Sequence, residues 1–238
     1  MKNVLRLTRD FYPNKKSYFP KNCGRDYIEK FVELNIGLFL CAVGLYFTVQ
    51  ANIGLAPWMA LNVGFENLTG INYGLWNDII GVVVLVIVVL LKEKIGFGTL
   101  GDCFVIGLYI TLFDKINIMQ QAESIGAGIL IMIIGIAITG IGSYYICDSG
   151  FSMGPRDSLM IGLAKRFKKL TVGQVRILLE ATVLIFGFLM GAKISIGTLI
   201  YVVGIGYAVD ITFYFNKFDA KRVLNEDVIE TVKNIQAV

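Results

Sequence analysis

Five ionisable side chains fall within apolar stretches of the kind that cross a bilayer: Asp78, Asp102, Arg176, Glu180 and Asp210. A charge in hydrocarbon is costly, so each is expected to face a polar interior, either as a contact for a solute or proton or as half of an ion pair. Arg176 and Glu180 are four apart on one helical face, a spacing that suits a structural salt bridge. Asp102 lies four residues past Gly98, where water from the cytoplasmic side would reach it, and Asp210 lies near the inner end of its span. A second group, Arg156-Asp157-Ser158, follows Pro155. Proline suits the first turn of a helix, and aspartate there is favoured by the helix dipole whereas arginine is not. Arg156 therefore points either to an anionic ligand held at the helix start or to a salt bridge with Glu180 or Asp148. Trp58 and Asn62 follow Pro57 in the corresponding segment of the first half. They complete a set of substrate-contact candidates, although Trp58 would also serve as an interfacial anchor, with Lys165–Lys169 facing lipid headgroups.

Several chemistries are excluded. The chain has no histidine, which removes serine–histidine and cysteine–histidine nucleophile pairs and histidine-ligated zinc or haem. Cys23, Cys41, Cys103 and Cys147 show no metal-ligand spacing and no secreted disulfide pattern. All four are expected to be thiols, with Cys41 and Cys103 as small apolar residues. Gly98-Thr99-Leu100-Gly101-Asp102 lacks the Gly-x-Gly-Asp spacing of intramembrane aspartyl proteases, and Gly204-Ile205-Gly206 has no strand-to-helix context for a nucleotide. No enzyme activity, cofactor, metal or nucleic-acid partner is expected, and without an ATP-binding loop any transport would be secondary.

The elements that must position these residues are apolar helices. Hydrophobic residues make up 55% of the 238 and charged ones 17%, with a mean hydropathy of +0.67, against about a quarter charged in soluble domains. A crossing needs about 20 helical residues. The chain also repeats itself. At a shift of 98, Gly37, Gly44, Tyr46, Pro57, Leu61 and Gly64 fall on Gly135, Gly142, Tyr144, Pro155, Leu159 and Gly162. At a shift of 99, Gly74 falls on Gly173, Lys94-Ile95 on Lys193-Ile194, Gly98-Thr99-Leu100 on Gly197-Thr198-Leu199, and Ile106-Gly107 on Ile205-Gly206. Each copy reads as a span (34–51; 130–149), a Pro-initiated half-helix (57–69; 155–168) and two further spans (75–91 and 98–114; 173–191 and 197–215). Gly128, Gly135 and Gly142, seven apart, form a smooth packing stripe on the fourth span.

Three spans per copy would turn the second copy over in the membrane. With both termini inside, the inner segments hold nineteen Lys/Arg (eight in 1–33, Lys92 and Lys94, five in 156–169, four in 217–233) and the outer loops two, Lys115 and Lys193. That bias fits the positive-inside rule. The expectation is thus an all-α polytopic membrane protein of about six transmembrane helices, arranged as two tandem three-span repeats of inverted topology, each with its Pro-initiated half-helix. Its parts are a cytoplasmic basic N-terminal segment (1–33), repeat 1 (34–114), repeat 2 (125–215) and a cytoplasmic tail (216–238), with membrane lipid around it and self-association left open.

Gly54-Leu55-Ala56-Pro57-Trp58 and Met153-Gly154-Pro155-Arg156-Asp157-Ser158-Leu159-Met160-Ile161-Gly162-Leu163 resemble the paired signatures of the YczE/YitT-type bacterial membrane proteins. The resemblance covers roughly residues 34 to 215, and the second motif is the more specific. The first half departs from the family's Gly-Pro-Trp-Asp, having Ala56 and Met59 at its first and last positions. The resemblance implies a multi-pass protein of the bacterial plasma membrane and names no substrate. Duplication, interrupted segments and intramembrane charge together favour a secondary transporter for a small polar, in one reading anionic, solute bound between the repeats. A non-transporting scaffold or regulatory partner is the competing class.

Overall fold

A computed structural model describes residues 24–236. Residues 1–23, with Cys23 and most of the basic N-terminal segment, and residues 237–238 lie outside the described residues. Among the described residues the chain is helical throughout its regular structure, the all-α polytopic architecture expected from the sequence. In chain order the helices are α1 (Gly24–Gln50), α2 (Pro57–Thr69), α3 (Tyr73–Leu90), α4 (Phe97–Lys115), α5 (Ile125–Asp148), α6 (Pro155–Arg166), α7 (Val172–Leu189), α8 (Ile196–Phe215) and α9 (Val228–Gln236), with a short 3-10 turn at Ala220–Arg222.

Local chemistry sets these boundaries. Both half-helices start on their prolines, Pro57 after an extended Ala56 and Pro155 after Gly154. α2 stops at Gly70, whose φ of 70° is open to glycine and whose N–H donates to the Glu66 carbonyl. Asn72 then caps α3 by accepting from the Gly74 N–H at 2.8 Å. Thr171 and Gln174 form a reciprocal capping box at the start of α7.

Among the described residues five helices are long and apolar enough to cross a membrane: Tyr27–Gln50, Phe97–Lys115, Ile125–Asp148, Val172–Leu189 and Ile196–Phe215. α2 and α3 are bent by 118° at the Gly70–Asn72 break, and counted as one span they bring the number of crossings to six. α3 corresponds to the expected second span (75–91), and α2 to the Pro-initiated half-helix before it. The boundary at residue 33 moves. α1 runs unbroken from Gly24, because no proline interrupts it, and Tyr27, Lys30 and Leu34 are already buried.

The C-terminal tail folds back onto this end of α1. Glu226 accepts from Lys30 Nζ at 3.2 Å and from Thr231 Oγ1 at 3.1 Å, its N–H donates to the Gly150 carbonyl at 2.8 Å, and Lys94 pairs with Glu230. Phe218 and Ala220 are buried beside Tyr144 and Phe213.

The centre of the bundle is the pair α1 and α5, the first helices of the two sequence repeats, and they run antiparallel. Gly128 lies against Ala51, Gly135 against Gly44, and Gly142 against Cys41 and Gly37. A Cβ at Gly135 would lie 2.7 Å from the Gly44 carbonyl oxygen, and one at Gly142 2.7 Å from the Cys41 amide nitrogen. Such closeness requires glycine on both helices, so the seven-residue stripe is a packing seam. α4 packs on α1, α8 on α5, α2 on α7, and α3 on α6.

The loop before each half-helix meets the other copy's last span. The Gly98 N–H donates to the Phe151 carbonyl at 2.9 Å, and the Gly197 N–H to the Ile53 carbonyl at 3.2 Å. These two bonds are equivalent under the sequence shift (98 + 99 = 197; 53 + 98 = 151).

Candidate functional site

Unwinding before Pro57 and Pro155 leaves two half-helix starts pointing into the bundle, and a cavity of about 590 Å³ lies beside them. Its floor is α1 and α5, and its walls are the starts of α2 and α6 together with α3, α4, α7 and α8. Half of the lining residues come in pairs related by the repeat. Cys41 and Thr139, Leu45 and Ser143, and Trp58 and Arg156 are separated by 98. Asn77 and Arg176, Gly81 and Glu180, and Asp102 and Tyr201 are separated by 99. Both halves of each pair face one space, so the cavity lies between the copies.

Arg176, on α7, forms an ion pair with Asp157, in the first turn of α6: Nη1 lies 3.0 Å from Oδ1, and both side chains are largely buried. Ser143 donates to Asp157 Oδ2 at 3.5 Å. The sequence spacing had paired Arg176 with Glu180 on its own helix. Instead α6 delivers a carboxylate from across the interface, and Glu180 has no ion-pair partner within 4 Å among the described residues. Glu180 is nonetheless 4% exposed, and its Oε2 has no hydrogen-bond partner. Arg176 Nε and Asn62 Oδ1 are also buried without one, and the Trp58 indole N–H lies beside the Glu180 carboxyl without reaching full hydrogen-bond geometry. Buried polar atoms left unsatisfied in protein are uncommon, and a cluster of them beside a cavity marks a place where water or a ligand completes the bonding.

Arg156 makes neither of the salt bridges, to Glu180 or to Asp148, that its sequence position suggested. Its guanidinium stacks 4.8 Å from the Trp58 ring centroid, and Nη2 donates to Asn77 Oδ1 at 3.3 Å. Asn62 Nδ2 donates to the same Asn77 oxygen at 3.1 Å, so Asn62 stands behind the wall. Asp148 accepts from the Tyr144 hydroxyl. Trp58 is buried and lines the cavity, which gives it a place inside the protein. Asp102 lies against Gly154, where an added Cβ would come within 2.2 Å of its carboxyl, at the start of α6; a carboxylate is favoured at such a helix end. Asp78 also lines the cavity.

Two candidates lie elsewhere. Ser158 is buried and donates to the Met153 carbonyl at 2.9 Å, closing the turn into α6. Asp210 accepts from the Thr171 hydroxyl and, at 2.8 Å, from the Gly173 N–H, and so caps α7 from the neighbouring helix. Beside it Lys221 donates to the Leu170 carbonyl, and burial lowers the pKa of this lysine.

The sequence matches, over residues 28–213, the model of a family of unknown function, DUF6198. The chain belongs to that family. It is 31% identical to an uncharacterized protein of Haemophilus influenzae over 77% of this chain and 82% of that one. It is 29% identical to the uncharacterized membrane protein YczE of Bacillus subtilis, over 69% and 76%, and 28% identical to the uncharacterized protein YyaS of the same organism, over 73% and 87%. No solved structure matches the chain. The likeness to YczE agrees with the resemblance carried by the two proline motifs, and the apolar helices make this DUF6198 protein a membrane protein.

Asn77, Tyr201, Thr139 and Ser143 line the site of this DUF6198 chain without having been candidates by type. The repeat contained the signal. Asn77 is the counterpart of Arg176, a departure between the copies that the sequence itself displays, and Tyr201 is the counterpart of Asp102, which the same mapping finds.

Proposed function

We propose that this protein is a secondary transporter that binds a small polar solute in the cavity between its two repeats. The observation that carries the proposal is the convergence of shift-related residue pairs on one cavity that contains two arginines and four carboxylates. Transporters built from inverted repeats place their sites at the repeat interface, between discontinuous helices. Three features support an inverted arrangement here: equivalent helices α1 and α5 run antiparallel, each copy's loop bonds the other copy's last span, and lysine and arginine are concentrated on one side. The same charge bias and the Haemophilus and Bacillus relatives support a bacterial plasma-membrane location with both termini in the cytoplasm.

The volume supports a ligand site, since solute and cofactor pockets run from about 300 to 1,000 Å³. Cys103 provides a reporter, because it lies on the cavity wall and is exposed, whereas Cys41 and Cys147 are buried. In a Cys23→Ser background, a solute that occupies the cavity slows Cys103 alkylation and raises the melting temperature together. A panel of polar solutes that changes neither, from a preparation that carries a co-purifying membrane protein, would replace the transporter reading with the scaffold one.

A further inference from the structure

The two copies are packed differently at one place. In the second, α7 and α8 are in close contact: a Cβ at Gly173 would lie 2.1 Å from the Gly206 carbonyl oxygen, and one at Gly206 2.5 Å from that of Gly173. The counterparts in the first copy are Gly74 and Gly107 (74 + 99 = 173; 107 + 99 = 206). A Cβ at Gly107 would have nothing within 4 Å, and one at Gly74 would meet only the Asn72 side chain. α3 and α4 make at most a marginal contact, yet both wall the cavity. The cavity therefore opens sideways between them. Val82 and Phe104, 60% and 67% exposed, form the lips, and Gly81 also has nothing within 4 Å of an added Cβ. In a membrane protein such an opening faces acyl chains.

Charge along the wall of this cavity is unbalanced. Asp78, Asp102, Asp157 and Glu180 stand against Arg156 and Arg176. Arg176 is committed to Asp157, and Arg156 to Trp58 and Asn77. Asp102 and Glu180 have no ion-pair partner within 4 Å among the described residues, and Glu180 is buried with an oxygen unbonded. With both arginines engaged elsewhere, a carboxyl group set in this wall without an ion pair gains from a proton or from a cation brought into the site. This weighs against the anionic solute that Arg156 alone suggested. The slot also has apolar sides, from Val84 and Leu85 on α3 to Ile106 and Ile110 on α4.

We propose that the site takes an amphiphilic cation from the bilayer: its charge is answered by Asp102 and Glu180, and its apolar body lies in the slot between α3 and α4. The proposal rests on the transporter reading of the cavity and names its substrate class. The aromatic Tyr201, on the wall, suits a cation too soft and too large for a hydrated ion site.

The test uses the full chain in lipid nanodiscs, with empty nanodiscs correcting for partition into lipid. Tetraphenylphosphonium is the probe, tetraphenylborate its counterpart of equal shape and opposite charge, and tetramethylammonium the same charge without the apolar body. Saturable binding is expected of tetraphenylphosphonium alone. It should weaken about tenfold or more in Glu180→Gln, the loss of one charge-assisted contact, and similarly in Gly107→Leu, which fills the slot. Gly81→Leu on the other lip repeats the slot test should Gly107→Leu fail to fold.

Tetraphenylborate binding as tightly as the phosphonium would overturn the charge assignment. Tetramethylammonium binding equally well, with Gly107→Leu and Gly81→Leu silent, would overturn the lateral slot and leave the transporter reading in place. Saturable binding of none of the three overturns the proposal, and uptake of a polar solute by the same preparation would show that the transporter reading survives without it.

Discussion

The contrast between Gly206 and Gly107 lends itself to a paired substitution. The two glycines are equivalent in sequence (107 + 99 = 206) and lie on the last spans of their copies. Gly206→Ala places a methyl 2.5 Å from the Gly173 carbonyl oxygen and 2.4 Å from Ile177 Cγ1. Relief requires α7 and α8 to part by about an ångström, because the nearest obstacle is backbone, and overpacking of this kind costs about 1–3 kcal/mol. Gly107→Ala meets nothing within 4 Å and gains up to about 1 kcal/mol of helix propensity. At about 2–4 °C per kcal/mol for a chain of this size, Gly206→Ala should lower the melting temperature by roughly 2–12 °C, while Gly107→Ala leaves it unchanged or raises it. Intrinsic-fluorescence melting of the two variants beside the parent, in one detergent, reads the difference directly. Equal falls would mean that α3 and α4 are packed as α7 and α8 are, and the slot would not exist.

Other expectations follow from particular contacts. Asp157→Asn leaves Arg176 buried without its partner, so the protein should lose about 3–5 kcal/mol, read as a lower midpoint of thermal unfolding; a Gln at Glu180, which has no such partner, should cost far less. Asp210→Ala removes the cap on α7 and should cost about 0.5–2 kcal/mol while leaving ligand-dependent protection of Cys103 intact. Single cysteines at Leu68, in the last turn of α2, and Lys168, just past the end of α6, both exposed, should react with an impermeant maleimide from opposite sides of the membrane in a cysteine-free background. Labelling from the same side would refute the inverted repeat.

Much of the architecture is legible in local chemistry. Pro57 and Pro155 begin helices where the sequence says they must, and the glycine stripe on α5 is the seam that meets Gly37 and Gly44. The start of α1 is missed because polar residues from Gly24 to Glu33 suggested a free segment, whereas their burial comes from a tail about 200 residues away, through Lys30 and Glu226. Within the site, an i, i+4 spacing made Arg176 and Glu180 look like partners. Only the approach of α6 to α7 reveals that Asp157 takes the arginine and that Glu180 is left for something else. The slot could not have been read at all, since Gly74 and Gly107 are the same residues as Gly173 and Gly206. Identical glycines permit either close packing or a gap, and the rest of the bundle decides between them.

The central claim, that a solute crosses through the cavity between the repeats, is tested most directly by flux. Protein in proteoliposomes would be given labelled solutes, hydrophilic and amphiphilic, with and without an imposed proton gradient, beside Glu180→Gln at equal reconstitution. The account predicts accumulation of at least one solute that depends on the gradient and disappears in the variant. Equal accumulation by parent, variant and protein-free liposomes would contradict it.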